Sequence, residues 1–157
     1  FLGWSFMHLG WIWDLEGGPY MVLYLIILTE VCDNLHVTLS RHMGKIKMFS
    51  RISPKRNLEA GIISFVLTIF LAWGLRHLLP VREAPYWIAS GLVAAWGGSL
   101  GDLVLSVIRR DLGIKDVGQF IIGRGDLLTI MDRMIFVAPI YYYVMWYLLT
   151  VRQVGLS

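Results

Sequence analysis

The sequence predicts an all-α, polytopic integral membrane protein with about four to five transmembrane helices and two polar loops on the cytoplasmic side. Three observations predict it. Of the 157 residues, 57% are hydrophobic and only 16% are charged, with a mean hydropathy of +0.63, a composition rare in a soluble domain. The apolar residues are gathered in long blocks. The lysines and arginines are concentrated between particular blocks and nearly absent between others.

Taken in order, Phe1–Trp13 (FLGWSFMHLGWIW) reads as half of a helix or as a surface-lying segment. Pro19–Cys32 is apolar up to Glu30 and ends at Asp33, short for a span unless it extends backward. Gly61–Leu79 is a spanning candidate broken late by Arg76. Ala84–Leu105 is another, rich in small residues that let helices approach closely. Met134–Val151 is the last, and its Tyr141–Tyr143 run suits a membrane interface or helix packing. Residues 1–157 read as one membrane domain. The chain opens with Phe1, so an N-terminal portion is expected to lie outside it.

The lone cysteine, Cys32, excludes an intramolecular disulfide and reads as a packing residue. His8, His36, His42 and His77 lack metal-ligand spacing and read as ordinary loop or interface residues. The net charge of +3 does not indicate nucleic acid, because the aromatic residues lie inside the apolar blocks rather than among the cations. No internal repeat or transit peptide is present.

The cations give the topology. Arg41, Lys45, Lys47, Arg51, Lys55 and Arg56 follow the first span, and Arg109, Arg110, Lys115, Arg124 and Arg133 follow the third. Arg76 and Arg82 alone separate the second from the third. The positive-inside rule then places both basic segments in the cytoplasm, where nucleotides are found; a bacterial inner membrane is the expected location.

Asp102, Ser106 and Arg109 are spaced i, i+4, i+7 and would share one helical face. A carboxylate at that depth is costly and needs a partner, which a helix-end salt bridge to Arg109 or Arg110 would also supply. Lys115-Asp116 lies between Gly113 and Gly118, and Gly123-Arg124-Gly125 follows. Glycine admits close approach of backbone N–H groups to an anion, and arginine offers a forked phosphate contact, although a solvated loop has the same composition. Ser53-Pro54-Lys55-Arg56 reads either as a patch for anionic lipid or as a site for substrate phosphate. No GxxxxGK[ST] loop occurs. Asp102, Asp116 and Asp132 supply the hard oxygen ligands that suit Mg²⁺ together with substrate phosphates.

These residues resemble the phosphatidate cytidylyltransferase (CDP-diacylglycerol synthase) family, whose signature reads roughly S-x-x-K-R-x4-K-D-x-G-x3-P-G-H-G-G-x-x-D-R-x-D. Ser106-Val107-Ile108-Arg109-Arg110 is followed at the proper interval by Lys115-Asp116-Val117-Gly118, and Gly123 and Gly125 fall in place. Gly101-Asp102 matches the family's LGD, and RISPKRNLEA (Arg51–Ala60) resembles its ISPKKTWEG. The resemblance runs from about Glu30 to Pro139. It implies a membrane enzyme, commonly dimeric, that uses Mg²⁺ to condense CTP with phosphatidate into CDP-diacylglycerol and pyrophosphate. It also implies N-terminal helices preceding those in this chain.

The expected catalytic residues are Asp102, Lys115, Asp116 and Asp132, with Asp102, Asp116 and Asp132 as metal ligands. Ser53, Lys55, Arg56, Ser106, Arg109, Arg110, Gly123 and Arg124 are the expected substrate-binding residues. Several positions depart from the pattern. Arg109 replaces Lys, Ile122 replaces Pro, Arg124 replaces His and Asp126 replaces Gly. In the ungapped register Thr129 falls on the first aspartate of D-R-x-D and Asp132 on the second. The alternatives are a catalytically weak family paralogue that binds nucleotide or anionic lipid, and a small transporter using Glu30 and Asp102 within the membrane. A transporter would be expected to carry repeats or paired interrupted helices.

Overall fold

A backbone passing through lipid must satisfy its own polar groups, and each apolar block does so by forming a helix. The computed structural model describes residues 2–42, 47–49, 53–111 and 127–155. Helices α1 (Leu2–Trp13) and α2 (Gly18–His42) are followed by strands β1 (Lys47–Phe49) and β2 (Ser53–Asn57). Helix α3 (Leu58–Gly74), a single 3₁₀ turn (Arg76–Leu78), α4 (Ala84–Asp111) and α5 (Leu127–Gly155) complete the chain. Ser53, Lys55, Arg56, Asp102, Ser106, Arg109, Arg110 and Asp132 are described at the level of the backbone.

Three expectations change. The first span does not stop at Cys32. Helix α2 continues through Glu30 and Asp33 to His42, because these polar groups find partners on a neighbouring helix and the backbone has no reason to leave its hydrogen bonds. The second span ends at Gly74, and Arg76 falls in the 3₁₀ turn beyond it. The first basic segment is not wholly loop: β1 and β2 pair antiparallel, with Lys47 opposite Asn57 and Phe49 opposite Ser53. Among the described residues the fold is therefore helical with one short β-ribbon, whose pairing satisfies backbone groups that a loop would leave to water.

Gly17 holds the α1–α2 turn at φ 70°, and a Cβ there would lie 3.0 Å from the Pro80 side chain. Helix α4 packs on α5, α3 and α2, while α1 packs on α5 and α2. The core between them contains Tyr24, Leu25, Leu28, Ala72, Ala94, Val137, Tyr141 and Met145. Its hydroxyls are anchored. Tyr24 donates to the Ala72 carbonyl at 2.7 Å, and Tyr86 donates to that of Leu148 at 3.1 Å. Thr29, Ser64, Thr68 and Ser90 donate to carbonyls one turn back, a local solution open to a hydroxyl where water is absent. His8 and His36 are buried in helices rather than in loops. His8 Nδ1 lies 2.8 Å from the Trp4 carbonyl, and its ring is enclosed by Trp4, Trp11, Tyr142 and Tyr143.

The outward faces are apolar. Ile62, Val66, Phe70 and Trp73 form an exposed stripe on α3, and Ile88, Leu92, Trp96, Leu100 and Val104 form another on α4. Among the described residues α2 and Arg133–Val154 are long and apolar enough to cross a membrane, and Glu59–Gly74 is a shorter apolar helix.

Chain direction sorts the connections. The end of α2, the β-ribbon, the start of α3, the end of α4 and the start of α5 share one end of the bundle. At the other end the Arg76 guanidinium lies 5.2 Å from the Trp73 ring, and Arg152 meets Glu83 at 3.7 Å.

Candidate functional site

Helices α2, α4 and α5 approach closely because α4 carries glycine where they cross. A Cβ on Gly98 would lie 3.2 Å from the Thr29 methyl on α2. One turn on, a Cβ on Gly101 would lie 3.2 Å from Phe136 and 3.7 Å from the Arg133 Cα on α5. Asp102 immediately follows Gly101, and Asp132 immediately precedes Arg133. The backbone contact thus brings the two aspartates to one level on adjacent helices.

At that level Arg133 reaches from α5 to α2. Its Nη1 donates to Glu30 Oε1 at 2.9 Å and its Nη2 to Asp33 Oδ2 at 2.8 Å. The guanidinium side chain is 7% exposed and the two carboxylate side chains 21% and 16%. Glu30 and Asp33, three residues apart on α2, present carboxylates on one face, and a planar fork can hold both at once. Sequence reasoning placed Arg133 among the loop cations and missed this pairing. The available signal was that two acids at the end of an apolar block require a cation, and Arg133 opens the last block.

Beside Asp33 is a cavity of about 10 Å³, lined by Thr29 and His36 of α2 and by Gly98 and Ser99 of α4. It has room for one water molecule. It is too small for a larger ligand.

The expected site residues are distributed about that end. Ser53, Lys55 and Arg56 lie on β2, which packs against α2 and α3. Asp102, Ser106, Arg109 and Arg110 all fall within α4, which is helical throughout their span, so the i, i+4, i+7 spacing does place the first three along one face. Asp132 is on α5. Lys115, Asp116, Gly123 and Arg124 lie outside the described residues. Among the residues with described side chains, no group of three or more His, Cys, Asp or Glu could hold a metal ion.

With this geometry in place, comparison with known proteins decides the family. The model of the cytidylyltransferase family matches residues 1–148. The chain belongs to the cytidylyltransferase family. It is 33% identical to the uncharacterized protein YnbB of Escherichia coli over 94% of this chain and 53% of that protein. It is 34% identical to a phosphatidate cytidylyltransferase of Synechocystis over 72% of this chain and 39% of the relative. For a phosphatidate cytidylyltransferase of Bacillus subtilis the identity is 29%, over 82% and 48%. The chain thus spans about half the length or less of these curated relatives. The match takes in all of α1 to α4 and most of α5, so the helix crossing at Gly101 lies within the family region.

Proposed function

We propose that this chain carries the reaction centre of a membrane-embedded cytidylyltransferase that condenses CTP with phosphatidate to give CDP-diacylglycerol and pyrophosphate. The observation that supports this reading is the close approach of α4 to α5 at Gly101 and Arg133, which puts the backbones of Asp102 and Asp132 at one level near the end of the bundle where both basic segments attach. Family membership and the relatives named phosphatidate cytidylyltransferase support the choice of substrates.

In the proposed reaction a phosphate oxygen of phosphatidate forms a bond to the α-phosphorus of CTP as the bond from that phosphorus to the bridging oxygen breaks. Pyrophosphate leaves. The protein's part is positioning and charge stabilisation. Asp102 and Asp132, with Asp116 as a third carboxylate, form a donor set of hard oxygens that suits Mg²⁺. Bound there, Mg²⁺ would neutralise charge on the nucleotide phosphates. Lys55 and Arg56 on β2 and Arg109 and Arg110 on α4 would hold phosphate oxygens, assisted by Ser53, Ser106, Lys115, Arg124 and the backbone at Gly123. The N-termini of α3 and α5 point to the same end, and helix N-termini favour anions.

The outward apolar stripes on α3 and α4 support membrane embedding, since a soluble monomer rarely leaves apolar surface of that extent uncovered. The bias of cations toward the site end supports a cytoplasmic orientation in a bacterial inner membrane. In this arrangement the lipid substrate reaches the site from the bilayer and CTP from water.

The test is CTP binding to the purified chain in nanodiscs, with and without Mg²⁺. Asp102→Asn and Asp116→Asn preserve size and remove charge, so both should fold and lose Mg²⁺-dependent nucleotide binding about tenfold or more. Unchanged Mg²⁺ dependence in both variants would reduce these aspartates to structural ion pairs.

A further inference from the structure

Building on that reading, we propose that Arg133 is a positioning residue for Asp132, and that its bridge to Glu30 and Asp33 sets the rotation and height of α5 at the reaction centre. Two restraints meet at this residue. The guanidinium is held through separate nitrogens at 2.9 Å and 2.8 Å by two carboxylates of α2. The backbone packs against α4, where a Cβ on Gly101 would lie 3.7 Å from the Arg133 Cα and 3.2 Å from Phe136.

Successive residues on a helix are separated by roughly 100° and 1.5 Å. A helix free to roll by a fraction of that angle would carry Asp132 off its place, whereas a residue pinned through two nitrogens on one neighbour and packed against another resists rolling. Asp132 is the adjacent residue, so it inherits the restraint almost undiluted.

Positioning depends on the fork and not only on the charge. Glu30 and Asp33 are met by different nitrogens of one rigid plane. A lysine ammonium is a point charge on a flexible stem and leaves rotation about the contact open. Arg133→Lys should therefore keep the fold, leave KM for CTP near the wild-type value and lower kcat about a hundredfold, the scale on which small misplacements act. Mn²⁺ binding, read by electron paramagnetic resonance in the presence of CTP, should weaken about tenfold in the same variant, because it reports the placement of Asp132 without turnover.

A structural role alone is separated by a triple variant. Arg133→Met with Glu30→Gln and Asp33→Asn removes the ion pairs together, so melting should return toward wild type. If the bridge positions Asp132, kcat and Mn²⁺ affinity stay low in this well-folded protein. Recovery of both in the triple variant would overturn the proposal, as would wild-type kcat in Arg133→Lys. Arg152→Met, at the opposite end of the bundle, is the control expected to match wild type.

The two readings fail separately. A wild-type chain that binds Mn²⁺ with CTP but releases no pyrophosphate counts against the transferase and leaves Arg133 to the binding data. In that case tenfold weaker Mn²⁺ in Arg133→Lys supports positioning. Equal binding in wild type and Arg133→Lys, or none in either, overturns it.

Discussion

A guanidinium placed between helices is stable where carboxylates meet its charge, and Arg133 draws one from each of two turns of α2. Removing one side of such a buried pair leaves charge that the surroundings were built to balance. Arg133→Met should lower unfolding stability by about 3 kcal/mol, the lower end for a buried pair because both carboxylates retain some solvent contact. Denaturant titration in detergent reads this loss, and the triple variant with Glu30→Gln and Asp33→Asn should recover most of it. Thr129 makes a second prediction. It lies in α5 three residues before Asp132, so the two share a helical face with Cβ atoms about 5–6 Å apart. Thr129→Asp should raise Mg²⁺ affinity and turnover by adding a carboxylate where the family signature carries one. A variant that melts earlier and gains neither would place this position in packing, where an added charge only costs stability.

Glycine at the crossing of α4 with its neighbours matters at the scale of whole elements. A side chain at position 101 would press on Phe136 and on the α5 backbone. Gly101→Leu is expected to push α4 and α5 apart, lower stability by about 1–3 kcal/mol and abolish nucleotide binding. Gly74→Leu, which meets open space, should do neither. Thermal melting and CTP titration on the two proteins compare them directly.

The helices themselves were legible as apolar blocks, because lipid leaves the backbone few alternatives. Their ends were not. Glu30 and Asp33 look like the end of a span when only hydropathy is read, yet α2 runs on to His42. Their partner is Arg133, about a hundred residues away, and local composition shows that the two acids need a cation without showing which one. The same limit hid the β-ribbon, whose strands contain Pro54 and three cations and lack alternation. The small residues of Ala84–Leu105 did announce close packing, and Gly98 and Gly101 are where it occurs. Placing Asp102 with Ser106 and Arg109 on one helix required only the spacing.

For the whole molecule, the bundle has one end where both cation-rich segments attach, the end of the proposed reaction centre, and an opposite end tied by Arg152 and Glu83. If the first end faces the cytoplasm, single cysteines at Ser50 and Gln119 should be labelled by an impermeant reagent from the same side of sealed vesicles. Labelling from opposite sides would separate the two basic segments and end the shared-site account. The decisive measurement is pyrophosphate release by the purified chain supplied with phosphatidate, CTP and Mg²⁺. A reaction centre at Asp102 predicts release that requires all three and is lost in Asp102→Asn. It is contradicted by a folded chain that binds all three without releasing pyrophosphate, or by release that Asp102→Asn leaves unchanged.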